Sequence, residues 1–327
     1  MMRAPAEQTD VATRREIVVA DVLGFCWGVR RALELVRAAA REKPVAALGD
    51  IIHNPVVVDE LARDGVVPVP GIAAAKEQGF DRVAITAHGA PPEKYVESER
   101  LGIHVIDTTC PLVTKVQRLA QKLALQGYFI VVYGDANHPE VRGVLGWAGT
   151  QRACAALRPS DLPWNGPRDR ESVSAPPRKV ALIAQTTKRT DEFLHFAQTL
   201  ARWVLPHGGE LRVVNTICQP TWERQEALAR LATLVDLVIV IGGRKSSNSA
   251  RLVEVSRDLG TPSLLVERPS ELDSQLLEGV RRVGITAGAS TPDQVILAVI
   301  ERLVELGFEP PERLWRIEEP ELTDFAE

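Results

Sequence analysis

Three of the four cysteines stand at equivalent places in three similar stretches of the chain. Cys26, Cys110 and Cys218 each follow a short apolar run and come just before an amphipathic helical pattern. Thiolates are soft ligands that favour iron–sulfur clusters, and a full [4Fe–4S] site usually takes four of them. Three cysteines therefore predict a cluster in which one iron lacks a protein ligand. Such an iron can act as a Lewis acid on an oxygen atom of a substrate.

Polar residues follow the other apolar runs in the same way. They are His53, His88, His138, Glu140, Thr186, Thr187, Ser246, Ser247, Asn248 and Ser290. Neutral polar groups at the N-termini of helices are suited to holding a phosphate or diphosphate, because the free N–H groups of the helix favour anions. Glu140 is the one carboxylic acid in the set, so we expect it to be the proton source.

Short apolar runs alternate with helical patterns along the chain, which is typical of parallel α/β units. Loops that follow parallel strands lie at one edge of a sheet, where open α/β proteins bind ligands. We therefore predict an α/β fold in which three units with parallel sheets face inward about a pseudo-threefold axis, around a central iron–sulfur cluster. The predicted units are residues 1–103, 104–210 and 211–327. The first begins with a loose leader at 1–14, and the second contains an exposed loop at 158–178. The third ends in a C-terminal tail from 310, in which 314–317 have the pattern of a further strand.

The composition of the 327 residues limits the class of protein. The net charge is −4, so a broad basic surface for nucleic acid is not expected. No apolar run is long enough to span a bilayer, and the N-terminus lacks the apolar core of a signal peptide. We therefore expect a cytoplasmic protein with neither a membrane nor a nucleic-acid partner, whose cysteines stay reduced. The fourth cysteine, Cys154, is interpreted as a buried strand thiol.

The motifs that carry these residues resemble those of the 4-hydroxy-3-methylbut-2-enyl diphosphate reductase family over roughly residues 16–320. The matching pieces are GFCWGV at 24–29, IHN at 52–54, AHG at 87–89, DTTCPLVTKV at 107–116, HPEV at 138–141, QTT at 185–187, IC at 217–218, RQEA at 224–227, SSNS at 246–249 and TAGAS at 286–290. No single piece is decisive, but all of them in this order are highly specific.

The resemblance implies a trefoil of three pseudo-threefold-related α/β domains around a [4Fe–4S] cluster held by Cys26, Cys110 and Cys218, with one open iron. It implies reductive removal of the hydroxyl group of an allylic diphosphate, which gives isopentenyl diphosphate, dimethylallyl diphosphate and water. It also implies ferredoxin or flavodoxin as the electron donor. The residues implied to hold the diphosphate are His53, His88, Ser246, Asn248 and Ser290, with Ser247 adjoining. His138 and Thr186 are implied near the reacting end, and Glu140 is implied to deliver protons.

Two other functions stay open from the residues alone. A redox-neutral hydro-lyase would use the open iron purely as a Lewis acid, and it would need no electron donor. An iron–sulfur sensor would show no turnover, and it would leave the histidine and Ser-Ser-Asn loops without a role. Thr187 is a second candidate beside Thr186, because the sequence does not tell which threonine faces the site.

Overall fold

The computed structural model describes residues 14–164 and 176–313 of the chain. The strands in these ranges are β1 (Glu16–Val19), β2 (Val45–Ala47), β3 (Val66–Pro68), β4 (Arg82–Ile85), β5 (His104–Asp107), β6 (Phe129–Tyr133), β7 (Ala153–Ala156), β8 (Lys179–Ala184), β9 (Glu210–Val213), β10 (Leu237–Ile241), β11 (Ser263–Val266) and β12 (Arg282–Ala287). The helices are α1 (Trp27–Glu42), α2 (Pro55–Arg63), α3 (Ile72–Glu77), α4 (Pro92–Leu101), α5 (Pro111–Leu125), α6 (Pro139–Ala148), α7 (Thr190–Val204), α8 (Gln219–Ala232), α9 (Ser247–Asp258) and α10 (Asp293–Glu305).

The elements follow from the spacing of apolar residues. Helix α5 buries Val113, Val116, Ala120 and Leu123, which recur every three or four residues and so share one face. Strand β10 has the sequence LVIVI, and all five of its residues are buried. A strand that is apolar at every position fits the middle of a parallel sheet covered by helices on both faces.

The strands form three four-stranded sheets with the same internal order. The orders are β3-β2-β4-β5, β7-β6-β8-β9 and β11-β10-β12-β1, and the pairings in all three are parallel. In the third sheet β1, from the start of the chain, takes the place that β5 and β9 hold in the other two. The predicted α/β class with three related parallel sheets is confirmed.

Each of the three cysteine segments crosses from one sheet to another. The segment after β1 leaves the third sheet and begins α1, whose Ala32, Leu33 and Val36 pack in the core of the first sheet. The segment after β5 begins α5, which packs in a core of the second sheet. The segment after β9 begins α8, which packs on the third sheet. The three crossings run in a cycle, so all three cysteines lie where the units meet.

This cyclic arrangement differs from the predicted division of the chain. Boundaries at 104 and 211 put β5 and β9 at the start of the second and third units, but β5 pairs with β4 and β9 pairs with β8. Likewise β1 pairs with β12 and not with a strand of the first unit. The sequence pattern shows that a strand precedes each cysteine, yet it carries no information on which sheet edge accepts that strand. The division into three domains stays a prediction.

The predicted exposed loop at 158–178 is wrong for two of its residues. Leu162 and Trp164 are buried, and the ring of Trp164 lies 5.2 Å from that of Phe129 in the core of the second sheet. Burial of apolar area accounts for this, because an exposed tryptophan would forgo a large hydrophobic stabilisation. The rest of that loop at 165–175, the leader at 1–13 and the predicted strand at 314–317 lie outside the described residues.

Two edge strands were not predicted. Strands β3 and β11 are short, and each lies at the end of its sheet. None of the helices in the described ranges combines the length and the apolar character needed to cross a membrane.

Candidate active site

One cavity of about 110 Å³ lies where the three units meet. All the site residues predicted from the sequence line it: Cys26, His53, His88, Cys110, His138, Glu140, Thr186, Thr187, Cys218, Ser246, Ser247, Asn248 and Ser290. They come from loops after strands of all three sheets, and they meet because parallel strands present those loops at one edge. Cys154 does not line the cavity; it lies in β7, half-buried, where burial raises the pKa of its thiol to about 12.

The three cysteines occupy the same structural position in the three units. Each is the residue that caps the N-terminus of a helix, Cys26 for α1, Cys110 for α5 and Cys218 for α8. Their backbone N–H groups donate to the carbonyl oxygens of Ala289 at 3.1 Å, Ala87 at 3.0 Å and Thr186 at 3.0 Å. Those acceptors follow β12, β4 and β8, the equivalent strands of the three sheets. The thiols therefore lie at the positive ends of three helix dipoles, where anionic sulfur is favoured.

Burial disfavours the thiolate form of two of these cysteines. Burial, and then the proximity of the other thiols, raises the pKa of Cys110 to about 12. Burial also raises the pKa of Cys218 to about 12, against the effect of Thr221, whose hydroxyl lies 3.1 Å from its sulfur. Cys154 has a similarly raised pKa, so the case for a metal centre depends on the placement of three thiols at one cavity.

Gly28 leaves room beside two of the sulfur atoms. A Cβ at this position would lie 2.7 Å from Sγ of Cys110 and 3.9 Å from Sγ of Cys26. The first distance is too short for a non-bonded contact, so the sulfur of Cys110 or the backbone would have to shift. The absence of a side chain at Gly28 thus leaves room for the sulfur of Cys110 close to the first turn of α1.

Gly28→Ala is expected to weaken retention of a cluster by about tenfold or more, because the new methyl group displaces the sulfur of Cys110. Iron and sulfide counted per chain after anaerobic reconstitution measure the effect. Gly71→Ala is the control, because its Cβ would meet no atom within 4 Å. Equal iron content in Gly28→Ala and the wild type would contradict this role of Gly28.

Three histidine rings form a second group of donors beside the thiols. The rings of His53 and His88 stack at 4.1 Å, and His138 meets them edge-on at 5.6 Å and 5.5 Å. One nitrogen from each lies within 4.8 Å of the others, so this set could hold a metal ion or the oxygen atoms of an anion. Nδ1 of His53 is buried without a hydrogen-bond partner among the described residues, so a polar ligand there would satisfy it.

Burial keeps these imidazoles neutral. It places the pKa of His88 well below its ordinary value, and it lowers the pKa of His138 to about 4. The pKa of His53 is also lowered by burial, despite the opposing effect of Asp50. Nδ1 of His138 accepts the N–H of Glu140 at 3.2 Å, so the proton of the neutral ring resides on Nε2.

The cofactor-free chain is expected to lose stability as the pH falls from about 6.5 to about 4. The pKa of His138 is about 4 in the folded chain and close to 6.5 when unfolded, so in this window the unfolded state binds more protons and the free energy of unfolding decreases. Chemical denaturation at a series of pH values measures the slope. His138→Gln should flatten it, whereas His195→Gln, which changes an exposed helix residue, should not. Part of the slope should remain in His138→Gln, because burial also lowers the pKa values of His53 and His88. A slope as steep in His138→Gln as in the wild type would count against this assignment.

Glu140 and Thr186 form a buried pair. Both oxygens of the Glu140 carboxyl accept from Thr186, Oε1 from the backbone N–H and Oε2 from the hydroxyl, each at 2.7 Å. Glu140 is only 2% exposed, and burial raises its pKa although the bonds from Thr186 and the charge of Lys188 act the other way. A carboxyl group whose neutral form is favoured at a cavity wall is suited to giving up a proton.

The two threonines have different partners. Thr186 bonds to Glu140, while the hydroxyl of Thr187 donates to Oγ of Ser247 at 2.9 Å and so links the second unit to the third. Both line the cavity. The choice between them for contact with a substrate stays a prediction.

The N-terminus of α9 contributes polar groups from the third unit. Ser246 caps it and accepts the N–H of Ser249 at 3.3 Å. Asn248 is 4% exposed, and neither its amide nitrogen nor its amide oxygen has a partner among the described residues. A buried amide left unpaired costs roughly 1–3 kcal/mol, so this side chain is built for a polar ligand. The hydroxyl of Ser290 donates to the carbonyl oxygen of His53 at 3.4 Å.

One set of cavity residues escaped the sequence analysis. Val29, Val113 and Thr221 line the cavity, and each lies three residues after one of the cysteines. In a helix that begins just after its cysteine, this residue faces the same side as the cysteine. The spacing could have identified all three once the cysteines were placed at the starts of helices.

The fold has three parallel sheets, and the segments that cross between them bring three thiols to one cavity. These features define a three-unit α/β protein that is suited to holding a group at its centre. A model of the LytB protein family matches residues 17–304, and the chain belongs to this family. A 4-hydroxy-3-methylbut-2-enyl diphosphate reductase of Aquifex aeolicus (strain VF5) is 39% identical over 295 residues, which cover 89% of this chain and 96% of that relative. The reductase of Anaeromyxobacter sp. (strain K) is 41% identical over 286 residues, covering 87% and 97%.

Solved structures agree with these relatives. A structure of (E)-4-hydroxy-3-methyl-but-2-enyl diphosphate reductase, described as the terminal enzyme of the non-mevalonate pathway, is 37% identical with a TM-score of 0.63 and covers 89% of this chain and 99% of its own. The reductase of Plasmodium falciparum is 29% identical with a TM-score of 0.78, covering 91% and 89%. The family predicted from the sequence motifs is confirmed, and so is the prediction that the chain is an enzyme of this reductase class.

Proposed function

We propose that the chain removes the hydroxyl group of (E)-4-hydroxy-3-methylbut-2-enyl diphosphate. Two electrons and two protons are consumed, the C–O bond breaks, and isopentenyl and dimethylallyl diphosphates are formed with release of water. The observation that carries this proposal is the convergence of three thiols, three neutral histidines and a buried carboxyl group on one cavity. The names of the relatives at 39% and 41% identity support the substrate.

Cys26, Cys110 and Cys218 hold a [4Fe–4S] cluster in this proposal. Support comes from their capping positions at three helices and from the space that Gly28 leaves beside two of the sulfur atoms. When bound, the cluster supplies single electrons and one open iron of Lewis-acid character. Every other part of the reaction falls to side chains that bind, orient and protonate the substrate.

The diphosphate is held by polar residues of the same cavity. The groups proposed for it are His53, His88, Ser246, Asn248 and Ser290, with Ser247 adjoining. Nδ1 of His53 and both amide atoms of Asn248 have no partner among the described residues, so they would gain hydrogen bonds to phosphate oxygens. The dipole of α9 adds to the attraction, because Asn248 lies in its first turn.

Proton delivery is assigned to Glu140. His138 and Thr186 lie beside it. His138 caps the helix that contains Glu140, and Thr186 donates hydrogen bonds to both carboxyl oxygens. Thr187 remains a second candidate for contact with the substrate. The Thr186 hydroxyl can reverse its bond to Oε2 once Glu140 is protonated, and this would present the acidic proton in a fixed geometry.

The electrons come from a small one-electron carrier, for which we propose ferredoxin or flavodoxin, in the cytoplasm. The carrier needs only to reach the edge of the cavity, and the three cysteines are half-buried, not sealed.

Anaerobic purification followed by assay with the allylic diphosphate tests this function. We expect about four iron and four sulfide ions per chain and product formation only when a reductant is added. Turnover without any electron donor would instead indicate a redox-neutral hydro-lyase. A cluster without turnover under either condition would indicate a sensor. A chain that binds neither iron nor sulfide would overturn the proposal outright.

A further inference from the structure

Arg224 is a fully buried charged residue outside the cavity. It is 0% exposed and lies in α8, six residues after Cys218. Its Nε and Nη2 donate to the carbonyl oxygen of Gly24 at 3.2 Å and 2.8 Å, and its Nη1 donates to the carbonyl oxygen of Pro220 at 2.7 Å. A guanidinium group is rarely placed in a protein interior unless its hydrogen bonds there offset the loss of water.

The two carbonyl groups that Arg224 joins flank two of the cysteines. Gly24 lies two residues before Cys26, and Pro220 lies two residues after Cys218. The bond to Gly24 spans 200 positions of sequence and ties the crossing segment of the first helix to the helix of the third cysteine. The fold brings these two segments together. Among the described residues, no hydrogen bond of a sheet or helix between their backbones fixes their relative position.

Further hydrogen bonds and packing contacts hold the segment around Gly24. Its N–H donates to the carbonyl oxygen of Ala287 at 3.4 Å, and the N–H of Cys26 donates to Ala289 at 3.1 Å. Gly24 has a φ of +78°, and a Cβ there would lie 3.0 Å from Cδ1 of Ile296. The left-handed backbone and the close packing allow only glycine, and they turn its carbonyl group toward the buried guanidinium.

A related contact at the next crossing is weaker. Arg31 of α1 donates from Nη1 to the carbonyl oxygen of Thr109 at 3.3 Å, next to Cys110. Arg31 is exposed, so water competes for both groups and the contact contributes less than a buried one. The buried contact of Arg224 is therefore the stronger of the two constraints on a cysteine segment.

We propose that Arg224 is a positioning residue that holds the Cys26 segment on the helix of Cys218, so that these two thiols keep the separation that one shared cluster requires. The inference rests on the proposed function, because the separation matters only if a group bridges the thiols. Arg224 touches neither the cavity nor a reacting atom. It acts through the carbonyl group of Gly24.

The test compares Arg224→Met, Arg224→Lys and Arg230→Met. Arg230 lies on the same helix with an exposed side chain that reaches Asp21 at 3.5 Å, so its variant controls both for loss of a positive charge and for loss of an exposed contact with the same segment. Amide hydrogen exchange of residues 20–28 in the cofactor-free chain reports the position of the segment without any cluster. The rate of iron loss to a chelator in the reconstituted chain reports the consequence for the cluster.

In Arg224→Met we expect exchange at residues 24 and 26 to be about tenfold faster, with iron loss faster by a similar factor. Arg230→Met should match the wild type, and Arg224→Lys should lie between because it retains the charge but loses the paired donors. Faster exchange spread evenly over α8 and the third sheet would indicate a merely structural role and overturn the proposal. Unchanged exchange in residues 20–28 would also overturn it.

If Arg224→Met does not fold, exchange of residues 20–28 and iron loss are measured on Arg224→Lys. Wild-type behaviour of Arg224→Lys in both measurements would overturn the proposal. A wild-type chain that binds no cluster overturns the proposed function, and with it the purpose assigned to Arg224. A wild type that binds its cluster beside an unaffected Arg224→Met overturns the inference alone.

Discussion

Cys110→Ser is expected to purify under anaerobic conditions with little iron and with turnover near background. Cys110 begins α5, and its sulfur is the one that lies nearest the open space at Gly28. Serine preserves the size of the side chain but offers an oxygen, which is a poor ligand for the iron of a sulfide cluster. Iron, sulfide and the absorption of the cluster measure the loss, and far-UV circular dichroism shows that the fold is kept.

The chain supplies its own control for this result. Cys154→Ser changes a half-buried thiol in an edge strand, and this thiol does not line the cavity. It should retain full iron content and full turnover. Loss of the cluster in Cys154→Ser, or a full cluster in Cys110→Ser, would contradict the assignment of ligands and would require a different set of sulfurs at the centre.

The sequence was most informative about the cavity. Residue type and position after an apolar run selected every polar residue that lines it except Thr221, because the carboxyl ends of parallel strands share one sheet edge. The repeat of a cysteine before a helix identified three equivalent positions. Both inferences depend on local patterns of a few residues, and such patterns survive in any fold that keeps the strand–loop–helix order.

The sequence was least informative about the contacts that join different units. The pairing of β1 with β12 joins residues about 265 positions apart, and nothing in the apolar pattern of β1 distinguishes that edge from another. The buried contact between Arg224 and Gly24 is equally non-local. Burial of Trp164 in a segment rich in polar residues was missed for the same reason, since its partner Phe129 lies in another element.

The cyclic crossing of segments explains how these non-local contacts serve the cavity. Each cysteine is attached to one sheet by the strand before it and to the next by the helix after it. A shift of one unit against another therefore moves a thiol directly. Contacts at the crossings, such as those of Thr187 with Ser247 and of Arg224 with Gly24, restrict that shift.

Glu140→Gln is expected to keep the cluster and lose turnover by about 100- to 10,000-fold. Glutamine preserves the shape of the side chain and can still accept the N–H of Thr186, but it carries no acidic proton. In the wild type, burial raises the pKa of Glu140, so activity should decline as the pH rises through that raised value and the donor ionises. The variant should lack this alkaline decline.

The charge of Lys188 allows the direction of the pH effect to be tested. It is 3% exposed, and its positive charge lowers the pKa of Glu140, so Lys188→Met should move the alkaline decline of activity to higher pH. Glu254→Gln is the matched control, because burial also raises the pKa of that carboxyl group but it does not line the cavity. Normal turnover in Glu140→Gln with an intact cluster would remove Glu140 as the proton donor. A decline that stays in place in Lys188→Met would assign the titration to another group.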